Sequence, residues 1–335
     1  MPSVPSSSAG RSAPPAGVAT TVEEVGEFGV IARVVAALPQ PAATTLLGPG
    51  DDCAVLAAPD GRVVTSVDVL VDGVHFRSDW ATGEQIGRRA ALAAMSDVAA
   101  MGAVPTALLV GLAAPGTTDA GLLQQIGAGL SAAAAEVGAD VVGGDVTSAP
   151  VLMISVTVIG TLGGVAPVLR SGAGVGDVVA LTGRIGWAAA GLAVLTRGFR
   201  SPAAAVGAYR VPEPPLAQGP VAAVTGATAM IDVSDGLLAD LGHIADASGV
   251  AIDLRSRALT VPARLLEVGS ALGKDPMTWL LTGGDDHPLA ATFPDTASVP
   301  EGWTVIGRVS AGAGVTVDGA TYEGDAGWDH FRSGR

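Results

Sequence analysis

Lysine is almost missing from this chain: Lys274 stands alone among 335 residues. Lys and Arg together number 18 against 32 Asp and Glu, which leaves a formal net charge of −14. That shortage of cations argues against nucleic acid or anionic membrane as a partner, since both need a basic footprint. It also removes two familiar phosphate-handling motifs, because neither G-x-x-x-x-G-K-[ST] nor a Val-Ala-Ile-Lys strand occurs. Cysteine is equally scarce. Cys53 is the sole one, which excludes an internal disulfide framework and fits a reducing cytoplasm. No sequence repeat of fixed period is present. The opening stretch MPSVPSSSAGRSAPPAGVAT has no apolar h-region and reads as a disordered extension covering residues 1–22. Two uncharged runs, 98–118 and 146–169, are interrupted by Pro105, Pro115, Pro150 and Pro167. They read as buried strands with turns rather than membrane spans, so the chain is expected to be soluble.

What is present is apolar and glycine-rich. Hydrophobic residues make up 49% of the chain, enough for a sizeable core, and the length suggests roughly two domains. An amphipathic helix is predicted over Glu23–Leu38, a β-branched strand over Arg62–Val71, a helix over Gly83–Met101 and a strand over Val104–Leu112. A helix over Thr118–Val137 and strands over Ala139–Val142 and Val151–Leu162 complete a first half. Gly, Pro and Ser then concentrate between Gly163 and Asp177, which places a domain boundary near 165: residues 23–165 and 166–335. The second half is predicted to hold a strand at 177–182, helices at 186–198 and 216–225, and a strand at 228–232. A helix at 236–248, a strand at 250–254, and short strands near 288–293, 303–309 and 314–318 follow.

Against this apolar background, aspartates recur in six short motifs, several with glycine or serine beside them: Gly50-Asp51-Asp52, Ser66-Val67-Asp68, Ser96-Asp97, Gly143-Gly144-Asp145, Asp232-Val233-Ser234-Asp235-Gly236 and Gly283-Gly284-Asp285-Asp286. Carboxylates with so few cations to balance them point to a metal ion, and neighbouring glycines let backbone approach a ligand. Magnesium holding a nucleotide's phosphates is the first reading. Asp97 carries the most weight. Its helical neighbours Ala93, Ala94, Ala100 and Met101 are apolar, where an unpaired carboxylate would be expensive. Asp68 and Ser66 share one strand face by the two-residue period. Gly143-Gly144-Asp145 reads as a strand end opening on a phosphate site. Asp232 ends a strand, and Ser234 or Asp235 is positioned to cap the following helix. His75 could bond a phosphate or serve only structure, and Arg170 at the domain junction is the candidate arginine for a triphosphate.

Taken in order, the motifs GDDCAVL (50–56), SVDVLVDGVHF (66–76), SDVAAMGAVP (96–105), GGDVT (143–147), LRSGAGVGD (169–177), DVSDGLLADLGHIADASG (232–249), TGGDDH (282–287) and GWDHF (327–331) resemble the thiamine-monophosphate kinase family. That family belongs to the aminoimidazole-ribonucleotide-synthetase-like superfamily. Each motif is weak alone, whereas the ordered set spans residues 25 to 331. The resemblance implies a two-domain α/β fold of α+β type, with amino-terminal domains of two subunits pairing strands into a shared barrel and a carboxyl-terminal α/β sandwich. It implies ATP as co-substrate, several Mg2+ ions, thiamine monophosphate as acceptor and a homodimer. Carried over by motif, the metal ligands would be Asp52, Ser66, Val67, Asp68, Asp97, Asp145, Asp232 and Asp235. Gly144, Asp145, Arg170 and Ser234 would contact ATP, and His75, Asp285 and Trp328 the thiamine monophosphate.

Four positions depart from the family pattern: Asp285 stands for a usual Glu, His287-Pro288 for Tyr-Glu, and Val67 for a Thr. Val67 would still serve if it acts through its carbonyl. No general base is expected, because a phosphate monoester with a second pKa of about 6 is already largely dianionic at neutral pH. Aminoimidazole ribonucleotide synthetase and selenophosphate synthetase are the neighbouring readings. A selenophosphate synthetase would carry a reactive Cys and Lys near its amino terminus, which this chain lacks. Against a non-catalytic acidic protein that binds calcium or nucleotide for structural reasons, the aspartates are expected at strand and helix ends across both halves and lack EF-hand spacing.

Overall fold

The computed structural model describes residues 20–36, 38–47 and 55–328. Asp51, Asp52, Cys53 and the last residues of GWDHF lie outside them. In chain order the first half contains α1 (Val22–Val35), β1 (Thr45–Leu47), β2 (Val55–Leu56), β3 (Val64–Val71), α2 (Gly83–Ala100), β4 (Val104–Ala114), α3 (Ala120–Glu136), β5 (Asp140–Ser148) and β6 (Met153–Thr161). The second half contains β7 (Val178–Thr182), α4 (Trp187–Thr196), α5 (Ala203–Arg210), α6 (Gln218–Thr225), β8 (Ala229–Asp232), α7 (Leu237–Ser248) and β9 (Ala251–Leu254). It continues through α8 (Ala263–Leu272), α9 (Pro276–Thr282), β10 (Leu289–Phe293), β11 (Thr304–Ser310), β12 (Gly314–Val317) and β13 (Ala320–Thr321). Two main sheets form, ordered β3-β6-β4-β5 and β13-β12-β9-β11-β7-β10-β8.

The two-residue strand period explains how the second sheet is packed. In β7 and β10, Val178, Ala180, Leu289 and Ala291 enter one core, while Val179, Leu181 and Ala290 enter the other. Strands covered on both faces read as unbroken apolar runs, as Val178-Val-Ala-Leu does. The core containing Val178 and Leu289 is shared with the first half, through Ala90, Ala94, Met95 and Val98 of α2. The first sheet instead covers one face only. Its inner face carries Leu70, Val110, Leu112, Ile154 and Val156, whereas Val67, Val69 and Leu109 on the opposite face are exposed.

Helix α2 therefore lies between the two sheets. Thr82 starts it with a capping box closed by Gln85. Fourteen of its 18 residues are buried, the pattern of a helix enclosed on all sides. Glycine lets it approach α3: a Cβ on Gly87 would stand 2.0 Å from the Ile126 carbonyl oxygen, and one on Gly129 the same distance from that of Glu84.

Two sequence expectations are corrected here. Gly143-Gly144-Asp145 does not end a strand. β5 runs on to Ser148 because β4 supplies a parallel partner residue by residue, Val110 to Gly144 and Gly111 to Asp145. The N-cap position of α7 falls to Gly236 rather than to Ser234 or Asp235. Asp240, one turn further on, reaches back and accepts from the Asp235 and Gly236 amides, both at 3.0 Å. Asp286, left without a role by the sequence, caps α4 from outside that helix by accepting the Ala188 amide at 2.9 Å. Burial pushes its carboxyl up to about 7. Asp286→Ala is expected to cost about 1–2 kcal/mol, the usual loss for a helix cap, read as a lowered melting temperature.

Candidate active site at the junction of the two sheets

Consecutive residues of α2 address opposite halves of the molecule, because they lie about 100° apart around the axis. Asp97 turns to the first sheet, where Ser66 Oγ of β3 donates to its Oδ2 at 2.6 Å. Asp68, two residues on from Ser66 along β3, lies on the same inward face. Ser96 turns to the second sheet. Its Oγ stands 2.8 Å from Asp232 Oδ2, 2.7 Å from the Ala93 carbonyl and 3.1 Å from His287 Nδ1. Asp232 reaches it because Met230, its partner in the strand period, also faces the shared core.

A hydroxyl offers one proton, which Ser96 shares between the Ala93 carbonyl and Asp232, and its oxygen accepts from His287 when Nδ1 carries the ring proton. Nδ1 lies 3.1 Å from Asp232 Oδ2. Burial would lower the His287 pKa, but the hydrogen bond to Asp232 and that carboxylate's charge raise it instead. For Asp232 burial pulls upward, and His287, Ser96 and Arg170 together hold it below the usual carboxylate range. Each member of the pair thus favours the charged form of the other. Asp68 and Asp97 have less compensation. Burial raises Asp68, and burial followed by the charges of Asp232 and Asp68 pushes Asp97 up to about 7. Three carboxylates from both halves thus repel one another around the end of α2.

The loops beside this cluster are interlocked. A Cβ on Gly284 would stand 2.2 Å from the Ser234 carbonyl oxygen, and the Asp285 amide donates to that same oxygen at 2.9 Å. The Trp328 amide donates to the Asp235 carbonyl at 2.9 Å, and the Trp328 side chain is 61% exposed. Ser234, Asp235, Asp285 and Trp328 are in this way brought together. Arg170 is exposed and acts electrostatically on Asp232. His75 Nδ1 accepts the Val71 amide at 3.0 Å, closing the turn after β3, so the other ring nitrogen is the one that carries a proton when the ring is neutral.

Not every residue joins the cluster. Val67 lies on the outer face of β3. Asp145 pairs with Gly111, whose face is that of Leu109, so it points away from Asp68 and stands roughly 14 Å across the sheet by strand spacing. Gly144 is needed for the strand pairing itself, since a Cβ there would meet the Val110 carbonyl oxygen at 1.9 Å. Asp52 lies outside the described residues. Ser96, His287 and Arg89 belong to the site and were not singled out for it from sequence; the seven-residue spacing of Arg89 and Ser96 on one helix face is the signal that could have found them.

Hard carboxylate oxygens under mutual repulsion suit a divalent cation. Among the described residues no group of three or more His, Cys, Asp or Glu forms a ready metal cluster. The donors therefore fit an ion such as Mg2+, which uses one or two carboxylates and completes its shell with water and substrate phosphates, rather than a closed protein cage.

Residues 50–162 match the family model described as AIR synthase related protein, N-terminal domain. The two-sheet architecture and this match define the class: an aminoimidazole-ribonucleotide-synthetase-like protein. The chain is 49% identical over 313 residues to the thiamine-monophosphate kinase of Mycobacterium tuberculosis, covering 93% of both chains. It is 41% identical to that of Corynebacterium glutamicum, covering 93% of this chain and 95% of the relative. A solved structure, AaThiL complexed with AMPPCP and TMP, superposes with a TM-score of 0.76 at 31% identity, covering 93% of this chain and 99% of that one. The chain belongs to the thiamine-monophosphate kinase family.

Proposed function

We propose that the protein transfers the γ-phosphoryl group of ATP directly to thiamine monophosphate, giving thiamine diphosphate and ADP, as a cytoplasmic homodimer. The observation that carries this reading is the meeting of Asp68, Asp97 and Asp232 from both halves at one helix end, within a family that includes a relative solved with an ATP analogue and TMP. Asp68, Asp97 and Asp232, with Asp235 beside them, would share several Mg2+ ions, each held by one or two carboxylates; Mg2+ supplies charge neutralisation between two anionic phosphates. Ser66 orients Asp97, while Ser96 and His287 orient Asp232. Arg170 and Ser234 are assigned to the nucleotide. Trp328 offers an exposed ring to the acceptor's aromatic part, and Asp285 and His75 complete that side.

No residue needs to remove a proton, because the acceptor phosphate is already an anion at neutral pH, its second pKa being about 6. The chain's task is alignment of two phosphates for in-line transfer, without a phosphoenzyme. The exposed Val67 and Val69 on the outer face of the first sheet support pairing of that sheet with a second copy. Among the described residues no helix is long and apolar enough to cross a membrane. Such an activity would be the last step in making thiamine diphosphate.

One assay tests the reading: ADP release with ATP and Mg2+, offered thiamine monophosphate, thiamine or no acceptor. ADP is expected only with the monophosphate, matched by thiamine diphosphate. Equal release without acceptor, or none with the monophosphate, overturns it.

A further inference from the structure

Arg89 is buried, 4% exposed, and no step above uses it. A cation that deep persists only where it is paired and hydrogen-bonded. Arg89 meets both conditions with residues of the second half. Its Nη2 stands 2.7 Å from Asp285 Oδ1, its Nη1 donates to the Tyr209 carbonyl oxygen, and its Cζ lies 5.0 Å from the centre of the Tyr209 ring. The ring of Tyr209 is held in turn by an edge contact with Trp80 at 5.9 Å. The guanidinium is thus fixed on two sides before it meets the carboxylate.

Asp285 is the opposite kind of residue. Its side chain is 46% exposed, and its backbone has φ +69°, a left-handed conformation that aspartate tolerates better than most residues. The Ser234 carbonyl fixes its amide. Its backbone is therefore set by the second half and one carboxylate oxygen by the first, while the side chain stays open to solvent. Asp is one methylene shorter than Glu, so its reach depends on where the carboxylate is held.

We propose that Arg89 is a positioning residue that presents the Asp285 carboxylate to the amino group of the acceptor's pyrimidine ring, and so sets the affinity for thiamine monophosphate. The inference rests on the reading of Asp285 as a substrate contact. Holding the acceptor group in place beforehand lowers the cost of ordering it on binding. A latch that merely joined the halves would affect nucleotide and acceptor alike.

Steady-state kinetics of Arg89→Gln, Arg89→Lys, Asp285→Asn and the Arg89→Gln/Asp285→Asn double variant distinguish the two. Arg89→Gln is expected to raise KM for thiamine monophosphate about tenfold, the scale of one charge-assisted hydrogen bond. KM for ATP and kcat should stay within about threefold of the wild type, the change falling on acceptor binding alone. Asp285→Asn should behave likewise, the double variant should be no worse than either single one, and Arg89→Lys should recover part of the loss. An unchanged acceptor KM overturns the inference, and so do equal rises in both KM values accompanied by a lowered melting temperature. Wild-type protein without monophosphate-dependent ADP release would instead overturn the assigned reaction, and this inference with it.

Discussion

Asp97→Asn is expected to reduce turnover by about a thousandfold or more, the several kcal/mol that a lost metal-held charge represents at 1.36 kcal/mol per tenfold. The fold should survive intact. Asn keeps the acceptor for Ser66 and removes a carboxyl that burial, Asp232 and Asp68 already push up to about 7. The sign with pH follows. A carboxyl whose folded pKa is raised binds its proton more tightly in the folded state, so its stability contribution is complete below the unfolded value of 3.8 and is lost as pH rises towards about 7. Metal-free Asp97→Asn should therefore be more stable than the wild type at pH 8, by about 1 kcal/mol or more, with a smaller difference at pH 5. Mg2+ should raise the wild-type melting temperature at pH 8 more than that of the variant. Thermal unfolding with and without Mg2+ at both pH values, beside the ADP-release assay, reads all of this. Near-normal turnover would remove Asp97 from the set of essential ligands.

Gly284→Ala should cost about a hundredfold in kcat/KM for thiamine monophosphate. Its Cβ would stand 2.2 Å from the Ser234 carbonyl oxygen, where ordinary contact begins at 3.4 Å. Backbone cannot yield as a flexible side chain can, so the loop bearing Asp285 must move about 1 Å, a displacement that can cost about 10²-fold in rate. The melting temperature should change by only a few degrees, on the scale of about 2–4 °C per kcal/mol, because the loop edges the core rather than filling it. Kinetics close to wild type would show that the packing of these two loops does not set the site.

Long periodic segments were legible. The helix expected over Gly83–Met101 is α2, at Gly83–Ala100, and the strands expected at 228–232 and 250–254 are β8 and β9, each to within a residue. Three short helices were not: α5, α8 and α9 have ten residues or fewer and each begins at a proline, Pro202, Pro262 and Pro276, whereas α4 and α6, equally short, were expected. Gly143-Gly144 read as a turn because glycine is a weak strand former. The pairing with β4 overrides that local preference, and Gly144 is there because a close neighbour leaves no room for a Cβ.

The sequence by itself determined which chemistry was available: acidic motifs, almost no lysine, Trp328 within GWDHF, and an order of motifs that marks a family. Tertiary structure decided which of those aspartates meet. Asp68, Asp97 and Asp232 converge because α2 lies between two sheets and turns Ser96 to one and Asp97 to the other. Asp145 faces away because strand pairing fixes its side of the sheet. Asp286 serves a helix end and Asp240 its own first turn. Aspartates that look alike in a motif are separated in role by burial and by the charges around them, and both arise only when distant segments pack.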